Sequence, residues 1–94
     1  MAKLIISPTA RQDLSDIFEY IARDKPVAAT NWVEKIEEKC KLIATVPDFG
    51  ELRPEYGGNI RSSVVGRYVI FYRAIAGGIE VARVIAGDRD IRSL

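Results

Sequence analysis

Every basic residue after Lys41 in this chain is an arginine: Arg53, Arg61, Arg67, Arg73, Arg83, Arg89 and Arg92. A guanidinium is a planar fork that holds a carboxylate or a phosphate at two points. Two readings follow, one of ordinary surface ion pairs and one of a surface for an anionic partner, nucleic acid or an acidic peptide. The net charge of +1 makes the chain as a whole no polycation. Its charge is nevertheless uneven, with a balance of −1 over residues 1–50 and +2 over residues 51–94.

Other chemistry is scarce. The chain has no histidine, which removes the Ser-His-Asp triad, the usual general base near neutral pH and the commonest metal ligand. Its one cysteine, Cys40, excludes an internal disulfide and a CxxC metal site. Cys40 falls in a helical apolar pattern and reads as a small core residue, in keeping with a reducing compartment. Asp88 and Asp90 form a close acidic pair, but no third ligand accompanies them. Gly77-Gly78 reads as a hairpin turn and not as a phosphate loop. We expect no cofactor and no metal. Tyr68 and Tyr72 could stack on a base or donate a proton, although tyrosines in such a run more often fill a sheet core.

The elements that must position these residues follow from periodicity. Ninety-four residues suit one domain, 1–94. Lys3 to Ile6 reads as a first strand. Ser7-Pro8 starts a helix, the serine capping and the proline fitting the first turn. Ala10, Leu14, Ile17, Phe18 and Ile21 form its apolar stripe, with Arg11, Asp13, Asp16 and Glu19 largely outside it. Asp24-Lys25-Pro26 breaks the pattern and restarts it. Ala29, Trp32, Val33, Ile36, Cys40 and Ile43 line a second helix that ends at Val46-Pro47. The short break implies an antiparallel helical hairpin, and the apolar surface left over needs a sheet to cover it. Residues 47–58 read as a loop. The period then changes to two: Asn59 to Val64, a turn at Gly66, Arg67 to Ala74, a turn at Ala76-Gly77-Gly78, and Ile79 to Ala86. Asp88 to Leu94 is a short charged tail. The expected fold is α+β in the order β-α-α-β-β-β, an antiparallel meander joined by the first strand at an edge or beside the central strand. The opening run is too short for a signal sequence and no apolar run could span a bilayer, so the cytoplasm is expected and a membrane is not.

Within this frame Arg83 alternates with Ile79, Val81 and Ile85 and should share their sheet face. It then either pairs with a carboxylate such as Glu51 or Asp90, or helps present an arginine face that the helices leave uncovered. An antiparallel meander could gather Arg61, Arg83 and Arg89 into one patch, with Arg67 and Arg92 near it.

These pieces resemble a family. The run Ala10-x-x-Asp13-Leu14-x-x-Ile17-x-x-Tyr20-Ile21-Ala22 resembles the first helix of ParE-type toxins of the ParE/RelE superfamily. Ala28-Ala29, Pro47-x-x-Gly50-x-x-Arg53, Ile60-Arg61 and Tyr68-Val69-Ile70-Phe71-Tyr72-Arg73 are similar to later parts of that family in order. So are Ile79-x-Val81-x-Arg83-Val84-Ile85 and Gly87-x-Arg89-Asp90. The resemblance spans nearly the whole chain.

It implies the toxin of a type II toxin–antitoxin system, of the kind known from plasmid stabilisation, partnered by a small antitoxin as a heterodimer or heterotetramer. The antitoxin's C-terminal segment would fold across the toxin, packing an apolar helix and adding an extended strand. ParE-like toxins are associated with poisoning DNA gyrase, whereas RelE-like relatives cut mRNA on the ribosome. Metal-free RNA cleavage needs a base, an acid and cations for the phosphate. RelE-like toxins use Lys/Arg and a tyrosine in the tail, yet Asp90-Ile91-Arg92-Ser93-Leu94 has neither tyrosine nor lysine. That departure favours a gyrase-directed toxin with no reaction of its own. Ala86, where many relatives carry histidine, leaves a third alternative of a binding domain that poisons nothing. The residues expected to meet target or antitoxin are Arg61, Arg67, Tyr68, Arg83, Arg89, Asp90 and Arg92.

Overall fold

A computed structural model describes residues 2–87. The expected positions Arg89, Asp90 and Arg92, with the pair partner Asp88, lie outside the described residues. The order is β1 (Lys3–Ile6), α1 (Pro8–Ala22), α2 (Pro26–Thr45), β2 (Glu51–Leu52), β3 (Ile60–Val65), β4 (Tyr68–Ile75) and β5 (Gly78–Ala86), with short 3-10 turns at Pro47–Phe49 and Pro54–Tyr56. The α+β frame and the β-α-α-β-β-β order hold. The one added strand, β2, lies inside the expected loop: two residues in so dense a run of glycine and proline give no period to read.

Ser7 caps α1 as its type suggests, its Oγ accepting from the Ala10 N–H at 3.0 Å, with Pro8 in the first turn. The stripe of α1 buries Ala10 and Leu14, with Ile17 and Ile21 packed against the core. In α2, Ala29, Ile36, Cys40, Ile43 and Ala44 are buried. The like-charged Glu34–Glu38 pair costs a few tenths of a kcal/mol. Burying Ile36 and Ile43 contributes about 1.5–3 kcal/mol each, so packing decides that helix.

The sheet runs β1-β5-β4-β3-β2. β1 lies at the edge, parallel to β5, and the other pairings are antiparallel. Both helices pack on one face, where Tyr68, Ile70 and Tyr72 of β4 and Ile79, Val81 and Val84 of β5 join them in the core. Among the described residues neither α1 nor α2 packs on the opposite face. Its centre is Phe71, fully buried with the Tyr56 ring edge-on at 5.5 Å. At the β3–β4 turn, Gly66 has φ +57, and an added Cβ would meet the Trp32 ring at 2.4 Å, so the turn and the packing both require glycine. No helix of the described residues is long and apolar enough to cross a membrane.

One irregularity changes the expected faces. Tyr72 pairs with Val81 and Phe71 with Arg83, which leaves Ala82 as an extra residue in β5. The alternation inverts there. Val84 lies opposite Ile70 on the helix side, while Arg83 and Ile85 lie opposite Phe71 and Val69 on the other. Arg83 therefore does not share a face with Ile79 and Val81.

Candidate functional site

β1 covers β5 only from Gly78 to Val81. Past that point the chain turns at Ser7 into α1, which runs beside the uncovered part of β5. The Ser7 N–H donates to the Val81 carbonyl at 3.0 Å, and the Ser7 hydroxyl donates to the Ala82 carbonyl at 3.0 Å. Nearly two turns further along, Asp13 accepts three hydrogen bonds. Arg83 Nε donates to Oδ2 at 2.8 Å, Arg83 Nη2 to Oδ1 at 3.0 Å, and the Val84 N–H to Oδ2 at 2.9 Å. A carboxylate thus fills the place of a missing strand and grips an arginine at two points. The hydrogen bonds to Asp13 raise the pKa of Arg83 above its ordinary value, so its charge is permanent.

This corrects the expected pairing: among the described residues the partner of Arg83 is Asp13 and not Glu51, while Asp90 lies outside them. The available signal was the position of Asp13, between the stripe residues Ala10 and Leu14 and so within one residue of the buried side of α1.

Beyond Asp13, α1 and the end of β5 form a groove of about 270 Å3. Arg67, Tyr68 and Arg83 all line it, with Asp16, Ile17 and Tyr20 from α1. Three of the expected site residues therefore meet there. Tyr68 is buried, its ring edge-on to Trp32 at 5.6 Å, and presents only part of itself. Tyr20 is 71% exposed and is not among the residues expected to meet a partner. Arg67 is exposed at the β3–β4 turn, and its carbonyl accepts the Gly87 N–H at 2.6 Å.

Arg61 does not join them. It pairs with Tyr72 across the β3–β4 ladder and reaches the loop after α2, where Nη1 donates to the Gly50 carbonyl at 2.8 Å. A looser ion pair to Asp48 spans 3.7 Å. The Tyr72 hydroxyl completes the clamp, accepting from the Gly50 N–H at 2.7 Å and donating to the Pro47 carbonyl at 2.9 Å. Burial raises the Tyr72 pKa, so the phenol keeps the proton it donates. An added Cβ on Gly50 would lie 2.5 Å from that hydroxyl. The expected patch of Arg61, Arg83 and Arg89 is thus not formed from its two described members, which serve different elements.

Other arginines are also engaged. Arg53 bonds Glu55 at 2.9 Å and the Ser62 hydroxyl at 3.2 Å, and Arg73 bonds Glu80 at 2.8 Å. For Arg53, Arg61, Arg73 and Arg83 the ion-pair reading describes the structure better than an open cationic face. Cys40 is buried as expected, and burial with the nearby Glu37 charge pushes its thiol up to about 11, leaving it unreactive at neutral pH. Among the described residues no group of three His, Cys, Asp or Glu could hold a metal ion.

A family model described as the ParE toxin of type II toxin–antitoxin system, parDE, matches residues 4–91. Among solved structures, a chain described as the chromosomal ParDE TA system from P. aeruginosa is similar in fold, with a TM-score of 0.77 at 22% identity. That similarity covers 92% of this chain and 96% of the other. No curated protein matches this chain.

Proposed function

We propose that this chain, which belongs to the ParE toxin family of type II toxin–antitoxin systems, arrests growth by inhibiting DNA gyrase and is neutralised by a small antitoxin encoded beside it. The observation that carries the reading is the extent of the family match, residues 4–91, which takes in both the α1–β5 groove and the loop clamp.

The geometry supports a toxin that acts by binding and performs no reaction of its own. Strand scission in RNA would need an acid, a base and cations free to meet a phosphate. Tyr68 and Tyr72 are buried, and the Tyr72 hydroxyl is held by Gly50 and Pro47. Arg61 and Arg83 are held by the loop after α2 and by Asp13. We assign the target contact to the groove, where exposed Tyr20 and Arg67 stand beside Ile17, Ile85 and the Asp13–Arg83 pair. Such a surface has aromatic and arginine anchors of the kind that dominate binding energies.

The test is inducible expression in a bacterium with and without the adjacent small open reading frame, with plasmid supercoiling and translation followed in parallel. Arrest with altered supercoiling or cleaved DNA, rescued by the neighbour, is expected. Arrest with halted translation and intact DNA would replace gyrase by ribosome-bound mRNA, and no arrest would leave a binding domain alone. Tyr20→Ala and Arg67→Ala should each reduce killing by about tenfold or more, Tyr20→Ala with the melting temperature unchanged. Lys35→Ala, on the far side of the hairpin, should kill like the parent.

A further inference from the structure

Among the described residues, the charged side chains lining the α1–β5 groove are Asp13, Asp16, Arg67 and Arg83. Which of them already has a counter-charge decides what the groove can hold. Asp13 and Arg83 cancel, joined at 2.8 and 3.0 Å. Arg67, on the strand side at the β3–β4 turn, has an interaction of its own. Asp16 differs from these. Its Oδ1 accepts from Gln12 Nε2 at 2.9 Å, and that amide carries no charge. None of the ion pairs among the described residues involves it. The charge left open on α1 is therefore negative.

The helix also gives that charge an aromatic neighbour. Asp13, Asp16, Ile17 and Tyr20 stand at i, i+3, i+4 and i+7, so they share one face of α1 and all line the groove. Asp16 and Tyr20 are both exposed. Side chains four apart lie about 5–6 Å from one another at Cβ, close enough for one cation to touch both. A guanidinium or ammonium can pair with the carboxylate and lie on the ring face. A phosphate in the same place would meet a like charge, which costs affinity. We infer that Asp16 and Tyr20 form a cation receptor, and that the part of the target seated in the groove is a protein segment bearing a basic side chain and not nucleic acid. The inference rests on the reading of the groove as the contact with gyrase and names the chemistry of what it receives. It runs against the bias of an arginine-rich C-terminal half, because the arginines of the groove are engaged and the carboxylate of Asp16 has no cation.

The experiment titrates the full chain against purified gyrase holoenzyme. Asp16→Asn keeps the acceptor for Gln12 and removes only the charge, at an exposed position where the fold is not at stake. It should weaken binding by about three- to tenfold, and Asp16→Lys by about tenfold or more. The gap between the parent and Asp16→Asn should narrow as salt rises. Tyr20→Leu keeps apolar bulk without a ring face and should weaken binding by about threefold or more. Glu19→Gln, an exposed carboxylate of α1 outside the groove, should bind like the parent. Tighter binding by Asp16→Lys would overturn the inference and give the groove to an anionic occupant. Unchanged binding by both Asp16 variants, with Tyr20→Ala still weak, would overturn it while keeping the groove as the gyrase contact. Equal losses for Asp16→Asn and Glu19→Gln would reduce it to the overall charge of the helix and so overturn it. No binding by the parent would remove the gyrase reading, and this inference with it.

Discussion

The two flanks of the sheet pose the same physical problem and solve it differently. On one flank β1, four residues long, leaves the end of nine-residue β5 without a strand beside it among the described residues. On the other β2, two residues long, leaves the end of β3 with no strand beside it among the described residues. Outward backbone groups on both need partners. On the β5 flank the chain supplies them: Ser7 meets the Ala82 carbonyl, Asp13 meets the Val84 N–H, and the bulge at Ala82 distorts the edge against pairing. On the β3 flank the Ile60 carbonyl points outward to the Arg53 N–H, so by alternation the backbone of Val64 points outward too, and no side chain of the described residues takes Asp13's part there. Short neighbouring strands therefore do not by themselves make an edge available. What separates the flanks is whether a helix offers a carboxylate at the right height. The chain closes one flank by itself and leaves the other without such a partner.

The largest effect that should sharpen this contrast is Asp13→Ala. It deletes three hydrogen bonds and leaves Arg83, whose side chain is about one-third exposed, without its counter-charge. Breaking a fully buried pair costs about 3–5 kcal/mol, and the partial exposure reduces this to about 2–4 kcal/mol. Urea unfolding measures it. Arg83→Ala should cost less, about 1–2 kcal/mol, because Asp13 keeps the Val84 N–H. Equal losses for the two variants would mean that the bond to the strand edge carries no weight, and the flank would then be held by an ordinary ion pair.

Next in size is Tyr72→Phe. It strips the acceptor from the buried Gly50 N–H and the donor from the Pro47 carbonyl, at about 1–3 kcal/mol. The clamp holds the loop that provides β2, so its loss should lengthen the bare edge of β3. Hydrogen exchange at the Arg53 amide, which donates to Ile60, should accelerate more than exchange at Val84. Equal acceleration at both sites would show that the two flanks open together and would undo the distinction.

The core beneath both flanks supplies a pH signature. The Cys40 thiol is pushed up to about 11 when folded, against an ordinary value near 9. Between those values the unfolded chain loses a proton that the native chain keeps, so stability falls as pH rises through that window. Cys40→Ala should flatten the slope in urea titrations between pH 9 and 11, the remaining fall coming from Tyr72, whose pKa is raised in the same direction. An unchanged slope would mean that the thiol is not the titrating group.

How far these features are legible in sequence depends on the range of the interaction. Ser7-Pro8 and the stripes of α1 and α2 are local signals, and the structure bears them out except at Phe18, which the stripe of α1 includes and the structure leaves 39% exposed. The family resemblance is carried by short runs in order, which the family match spans. The bulge at Ala82 was not legible, because a single extra residue leaves an alternation such as Ile79, Val81, Arg83 and Ile85 intact on paper while inverting it in space. The pairing of Asp13 with Arg83 joins residues 70 positions apart. Composition does not rank Asp13 above Glu51 as the partner, and only the place of Asp13 beside the buried stripe of α1 does. β2 was missed because its two residues are held by Ser62 and the Tyr72 clamp and not by any pattern of their own. The site residues are only partly gathered as expected, since Arg67, Tyr68 and Arg83 meet while Arg61 serves a loop.

The smallest effect carries the other half of the comparison. Val64→Thr keeps a β-branched side chain of nearly the same shape, so strand propensity hardly changes. The new hydroxyl stands in water, because Val64 is 62% exposed, and no buried polar group is created. The inward ladder through Ser63 and Val65 is untouched. The isolated chain should therefore unfold within about 0.5 kcal/mol of the parent. A near-zero cost here beside the several kcal/mol at Asp13 is what separates an edge that supports the fold from one that does not. A loss above about 1 kcal/mol would place Val64 in a contact that the isolated chain itself requires. The β3 flank would then be as closed as the β5 flank.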